Sequence, residues 1–376
     1  MKHNLQASKQ ASKQASKQAS KQASKQASKQ ASKQASKQAS KQASKQASKQ
    51  ARLNHLDVYK GIVILFVIIT HYYLWSDSER LGLLFPFWID MAVPIFMVIT
   101  GYVSTLSFER KGLSFSFCYK PIEMIKKWLR FIIPFLPAWI LTVIARIIGR
   151  EEVFSFGLIL LDFLTGGIGC GSYYFPVMIQ VVLLMPLIWY IIKLNPLIGL
   201  LICFGVNILF ETLKTFMNMS PELYRICSFR YIFILGYGCF LFNKQHDIKK
   251  HFLYYLVGIV GVVYIIVFNY TELKPIITDQ WTATSVFATL YLVPIMMILF
   301  SKTTVRSELL ELLGKASFNI FVVQMIFYLG GDKIVCRFIP YKTIQLPVIT
   351  IICCFIGVLY YKIESPITQR IIKKIS

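Results

Sequence analysis

The sequence is short of charge. Acidic and basic residues make up 16% of its 376 residues, where a soluble domain carries about 25%. Carboxylates are scarcest, 18 against 41 Lys and Arg, and the first fifty residues hold twelve Lys and no acid. With 55% hydrophobic residues and a mean hydropathy of +0.55, the chain is excluded from the soluble globular class and reads as a polytopic membrane protein. The eight cysteines show no Cys-x-x-Cys or His-Cys spacing, so neither a metal site nor a disulfide framework is expected; most sit in apolar runs, where a free thiol behaves as a small hydrophobe. No phosphate-loop pattern occurs. No apolar run opens the chain, so no cleavable signal peptide is expected. The net charge of +23 shrinks once the tail is set aside, to 29 basic against 18 acidic residues. That remainder collects in alternate loops, as positive-inside asymmetry requires, and a nucleic-acid partner is unnecessary.

Residues 7–50 are eleven copies of Ala-Ser-Lys-Gln. A period of four drifts by about 40° per repeat around a helix, so no apolar stripe forms and nothing offsets the entropy of ordering. Residues 1–51 are therefore expected to be a disordered cytoplasmic tail, followed by one membrane domain over 52–376. The codons AGC-AAG-CAA-GCA spell Ser-Lys-Gln-Ala and also write the tetranucleotide AGCA three times. Such a tract returns to frame every four codons, which is the period of this tail. The repeat thus points to a gene switched by replication slippage, as suits a protein that varies a bacterial surface structure; the alternative is an ordinary linker repeat at the protein level.

The apolar runs predict an all-α membrane bundle of about ten spans: 58–75, 84–106, 129–148, 174–192, 197–213, 227–243, 252–270, 283–301, 317–335 and 344–361. Residues 156–164 are apolar but too short to span, since a crossing needs about 20 residues, and read as re-entrant or interfacial. Inner loops collect the bases (Lys120, Lys193, Lys244, Lys302, Lys362), and outer loops collect the acids (Asp77, Glu79, Glu151, Glu152, Glu222, Glu272, Asp279). Both termini then face the cytoplasm, and the protein is expected in the bacterial inner membrane.

The stretch Arg52–Trp75 carries the chemistry. Of five histidines only His71 lies within a span; His3, His55, His246 and His251 lie in polar stretches. An ionisable group at membrane depth costs about 2.5–3.5 kcal/mol on insertion scales and is a functional candidate by default. The bland alternative is an interfacial histidine packed beside Tyr72, Tyr73 and Trp75. Lys60 precedes His71 by 11 residues, close to three helical turns, which puts both on one face about 16 Å apart along the axis. A buried imidazole needs a partner to set its tautomer, and Asp90, at similar depth in the second span, is the candidate; the alternative is that Asp90 pairs with Arg80.

These residues resemble the integral-membrane acyltransferase-3 family, which O-acylates lipopolysaccharide, capsule, peptidoglycan or exported glycans. Its Leu-Asp-x-x-Arg-Gly opening reads here Leu56-Asp57-Val58-Tyr59-Lys60-Gly61, with His71 eleven residues after the basic position. The second-span pattern reads Ile95-Phe96 to Thr100-Gly101-Tyr102, the third-span basic pattern Lys127-Trp128-Leu129-Arg130 to Pro134, the late motif Leu313-Gly314-Lys315-Ala316-Ser317, and the closing motif Glu364-Ser365-Pro366. The motifs stand in the family's order over about 52–376. Lys60 and Lys127 replace Arg, Thr100 replaces Ser, and Gln324 stands where many members carry His.

The resemblance implies a membrane-bound O-acyltransferase that takes an acyl group, acetyl first, from cytoplasmic acyl-CoA to a hydroxyl of a surface glycan, lipopolysaccharide first. Acyl-CoA is then a co-substrate, with no bound cofactor or metal. His71 and Asp90 are the expected catalytic residues, His71 as general base or as an acyl-imidazole nucleophile. Lys60, Lys126, Lys127 and Arg130 are the expected donor-binding cations, although 126, 127 and 130 also read as membrane anchors. Asp57, Gly61, Gly101, Gly314, Ser317, Glu364 and Pro366 are read as structural motif positions, with Glu364 neutralising nearby bases. The Gly166–Gly171 run reads first as a turn. The rival reading is an exporter or proton-coupled transporter with a His71–Asp90 relay.

Overall fold

The computed structural model describes residues 54–72, 74–149, 155–243, 251–273, 285–301 and 305–375. The repeat tail lies outside them, as do Tyr73, Glu151, Glu152, Lys244, His246, Asp279 and Lys302. Every regular element among the described residues is a helix. An apolar chain in lipid has no water to satisfy its peptide groups, and a helix satisfies them within one segment.

The helices that build the membrane domain are α1 (54–70), α2 (Ala92–Arg110), α3 (Pro121–Gly149), α4 (Phe156–Thr165), α5 (Tyr174–Leu194), α6 (Pro196–Phe216), α7 (Ile232–Asn243), α8 (His251–Tyr270), α9 (Leu292–Ser301), α10 (Glu308–Lys315), α11 (Ser317–Phe327) and α12 (Lys342–Lys374). Six helical segments among the described residues are long and apolar enough to cross a bilayer, and a seventh arises if α10 and α11, bent by 69° at their junction, form one span. Each of the ten expected segments contains helix, but several are short or broken. The first ends at residue 70, where the chain tightens into i→i−3 bonds (His71 N to Ile68 O, 3.3 Å). The segment 227–243 contributes a 3-10 turn (Ser228–Tyr231) and the 12 residues of α7, the latter about 18 Å of helix with all but its last two residues buried. Apolar composition alone does not distinguish a helix sunk among its neighbours from one that reaches both surfaces.

The bundle is apolar outside as well as inside. Ile259, Val263 and Ile266 on α8, and Ile351, Phe355 and Leu359 on α12, are exposed, as lipid-facing rows should be. Polar groups turn inward instead: on α6, Asn207, Glu211 and Lys214 recur at helical spacing and all three are buried. Two apolar clusters hold the domain together. One joins α2, α5, α7 and α9 through Met97, Tyr102, Trp189, Leu235 and Met296. The other joins α1, α3, α11 and α12 through Ile68, Phe135, Phe321 and Cys353. In the first, a Cβ on Gly101 would fall 2.1 Å from the Leu235 carbonyl oxygen, so α2 and α7 meet backbone to backbone. Small residues permit that approach where lipid offers no hydrophobic drive.

Candidate active site

The opening and late motifs meet through their glycines. A Cβ on Gly314 would fall 1.8 Å from the Asp57 carbonyl oxygen, and one on Gly61 would fall 2.2 Å from the Leu310 carbonyl oxygen. The start of α1 therefore meets α10 backbone to backbone at Leu310 and Gly314, with no room for a side chain at either glycine. Asp57 turns its carboxylate to Lys60, 2.9 Å from Nζ. His55 is buried too, edge-on to Tyr59 at 5.6 Å, although its sequence neighbourhood is polar.

The closing motif holds α12 onto α11. Glu364 is buried and accepts from Asn319 Nδ2 at 3.0 Å and from the Thr368 hydroxyl. Asn319 and Thr368, both neutral, thus bind Glu364 where basic residues were expected. Pro366 lies inside α12 two residues further on. Tyr360 on the same helix donates to the Pro134 carbonyl at 2.7 Å, and Trp128 Nε1 donates to the Ile179 carbonyl of α5 at 3.0 Å. Those two bonds fix the rotation of α3 and so aim its basic residues.

A cavity of about 540 Å³ runs along the shared face of α1. One end is cationic, with Lys60, Lys127, Arg130 and Lys315 in its wall beside Asp57, Ser317 and Gly314. Lys127 stands over the Phe108 ring, its Nζ 4.6 Å from the centroid. The other end is closed by His71, Gly171 and Tyr173. Lys126 is absent from this wall and is ion-paired to Glu123 at 3.0 Å. Lys315, the last residue of α10, lies in the wall instead.

His71 is held by Gln324. Its Nδ1 lies 3.2 Å from Gln324 Oε1, while Gln324 Nε2 donates to the Cys170 carbonyl at 3.2 Å. The carbonyl can only accept, so it orients the amide, and Oε1 must be the acceptor toward the histidine. Nδ1 therefore carries the proton and Nε2 keeps a lone pair. Asp90, the residue expected at Nδ1, instead takes Arg80 at 2.8 Å. A proton relay joining His71 directly to Asp90 is thus not formed.

The lone-pair side of the ring faces the glycine run. A Cβ on Gly171 would sit 3.1 Å from His71 Cε1 and 3.2 Å from Nε2, and Gly171 has φ of +81°. The run is a turn, as read, but it is also the wall against which the imidazole lies. It follows α4, whose Asp162 accepts from Trp139 Nε1 (3.0 Å) and Arg146 (2.9 Å) on α3.

A second cavity, of about 1120 Å³, is also lined by His71. Arg80, Asp90, Glu222, Arg225, Lys214 and Arg230 contribute its polar wall. Five residues line both cavities: Val67, His71, Val93, Gly171 and Tyr173. His71 is the one ionisable imidazole at that junction. Sequence reading missed Lys214 and Arg230; the signal available was the polar stripe Asn207, Glu211, Lys214 along one face of an otherwise apolar helix.

The arrangement provides a cationic chamber, a second polar chamber, and an imidazole, His71, that lines both. Among known families, the profile of the acyltransferase domain family numbered three matches residues 53–361. No curated protein and no solved structure matches the chain.

Proposed function

The chain belongs to the acyltransferase-3 family of membrane acyltransferases, and on that premise we propose that it moves an acetyl group from cytoplasmic acetyl-CoA to a hydroxyl of a surface glycan, lipopolysaccharide first, with His71 as general base. The observation that carries this reading is that His71 lines both cavities. A donor in one and an acceptor in the other would meet at its Nε2.

The cationic end suits the phosphates of a coenzyme A thioester, each Lys or Arg offering charge-assisted bonds to phosphate oxygens. Lys60 and Lys127 act there as point charges where a guanidinium would bind bidentately. The thioester arm then runs along α1 toward His71. On this reading the Lys60 end faces the cytoplasm, in accord with the excess of bases in the loops on that side. The acceptor hydroxyl comes from the second cavity. Nε2 takes its proton as the oxygen attacks the thioester carbonyl; the C–S bond breaks, and the imidazolium returns the proton to the departing thiolate. The Nδ1 bond to Gln324 keeps the lone pair aimed at the junction throughout. Acetyl is favoured over longer chains because the junction is crowded by Gly171, Val93 and Tyr173. A surface glycan is favoured as acceptor by the slippage-prone repeat, since switching genes of this type alters what the cell displays.

The test compares surface glycans by mass spectrometry from cells making the intact protein or His71→Ala at matched membrane levels. An alkali-labile acetyl increment is expected with the first and absent from the second. An increment that survives the substitution would remove His71 from the reaction, and no increment from the intact protein would overturn the acceptor assignment.

A further inference from the structure

The ion pair of Arg80 and Asp90 stands in the wall of the second cavity, and two separate stretches of chain build it. Arg80, in the last turn of the short helix Asp77–Gly82, rests on the Phe85 ring with its Cζ 5.7 Å from the centroid. Asp90 lies in the turn before α2, its amide donating to the Phe85 carbonyl at 3.0 Å. Arg80 Nη2 reaches Asp90 Oδ1 at 2.8 Å, and the two side chains keep 32% and 14% of their surface exposed. A carboxylate has about four acceptor sites and a guanidinium five N–H donors. One bond between them leaves both with capacity for a further partner.

The pair is tied to the reacting centre. Thr70, the residue before His71, donates its hydroxyl at 3.4 Å to the carbonyl of Ile89, the residue before Asp90. That bond clips the end of α1 to the turn before α2 and brings His71 and Asp90 into the wall of one cavity. Arg80 also acts electrostatically on His71. The chemistry on offer beside the imidazole is that of a polyol site. A hydroxyl can donate to the carboxylate and accept from the guanidinium at once. Such bonds to ionised groups are about twice as strong as neutral ones. An ion pair carries no net charge, so it asks for no charged partner.

From this we infer that the acceptor is a polyol held by two hydroxyls of one sugar ring: the reacting hydroxyl at His71 Nε2 and a second one between Asp90 and Arg80. The inference rests on the acyltransferase reading and narrows its acceptor. Asp90 and Arg80 take no proton in the reaction; they determine specificity by holding the acceptor beside the hydroxyl that is acylated. A sugar presents several hydroxyls of similar reactivity, and the anchored second one decides which of them is repeatedly placed at Nε2. A site that hydrogen-bonds a hydroxyl also rejects the analogue lacking it, because the polar groups of the site are then left unpaired. Asp90, which does not hold His71, thus serves the same centre from the acceptor side.

The experiment uses the full chain in detergent or nanodiscs with labelled acetyl-CoA. The probes are the methyl glycosides of glucose, galactose, mannose and rhamnose, then the monodeoxy forms of whichever is acetylated fastest. Apart from the acylated hydroxyl itself, removing one particular hydroxyl should cut kcat/KM by roughly tenfold to hundredfold, the size of a charge-assisted hydrogen bond. Asp90→Asn should lower kcat/KM for the intact glycoside by a similar factor, leave the KM for acetyl-CoA unchanged, and cost little further with that deoxy form, since the two changes remove one contact. A pair that only ties the Asp77–Gly82 helix to α2 would slow both acceptors equally. Binding of a non-hydrolysable acyl-CoA to Asp90→Asn reports that the variant is folded; if it does not fold, the deoxy series with the intact chain decides alone. Transfer that tolerates loss of every hydroxyl but the acylated one, or an Asp90→Asn defect equal for both acceptors, would overturn the inference and leave the acyltransferase reading standing. Transfer to none of the four glycosides would overturn the acceptor reading beneath it.

Discussion

Replacing Gln324 by Leu tests the site at its most specific point. The side chains are similar in volume, so packing in the second apolar cluster is largely kept. What is lost is the acceptor 3.2 Å from His71 Nδ1 and the donor to the Cys170 carbonyl. A buried polar group stripped of its partner costs about 1–3 kcal/mol, which as a penalty on the reactive tautomer and orientation is a factor of roughly 5 to 150 in rate. The ring can then place its proton on Nε2, and in that form it donates to the acceptor hydroxyl and cannot take the proton. The cationic end of the cavity lies about 16 Å away along α1, so donor binding should be untouched. Initial rates from labelled acetyl-CoA, with membrane levels matched, should therefore show kcat falling within that range and KM for the donor unchanged. Gln324→His, which can again accept at Nδ1, should lose less. A Gln324→Leu enzyme with normal kcat, or with a defect confined to the donor KM, would refute the assignment of the tautomer to this bond.

The remaining expectations are quickly stated. Gly171→Ala must hold a φ of +81° and place its Cβ 3.1 Å from the imidazole; the backbone strain is about 1–3 kcal/mol, and acyl transfer should fall at least tenfold while most of the protein still reaches the membrane. Gly314→Ala, whose Cβ would meet the Asp57 oxygen at 1.8 Å, should sharply lower the melting temperature in detergent. Gly205→Ala, with nothing within 4 Å in the interior of α6, should be neutral or stabilising by about 0.5–1 kcal/mol. Lys127→Gln and Arg130→Gln should each raise KM for acetyl-CoA several-fold, whereas Lys126→Gln, off the cavity and paired with Glu123, should leave that KM unchanged.

Much was legible in the sequence because membrane chemistry is unforgiving. Scarce charge and long apolar runs force helices, since no other open structure satisfies its own peptide groups in lipid. A single histidine inside a span is conspicuous because hydrocarbon makes it costly, and the 11-residue spacing from Lys60 puts both on one face by helix geometry alone. Ordered motifs identified the family, and the profile match over residues 53–361 bears that out.

Other features depended on contacts between segments far apart in the chain, and no local pattern encodes those. Gln324 stands 253 residues from His71; sequence marked it as a departure from the family but not as the partner of Nδ1. Asp90 was the natural choice by depth, yet Arg80, ten residues away, reaches it first. Lys126 and Lys127 are neighbours in sequence but point about 100° apart on a helix, so only the rotation of α3 decides which one faces the cavity. Lys214 and Arg230 came together only when α6 packed beside the short helices before α7. Composition and period determined that this chain is a helical membrane protein and where its intramembrane imidazole, His71, lies. The tertiary fold alone decided what that base is bonded to, and that two chambers meet at it, because both follow from the rotation and contact of helices and not from the residues of any one of them.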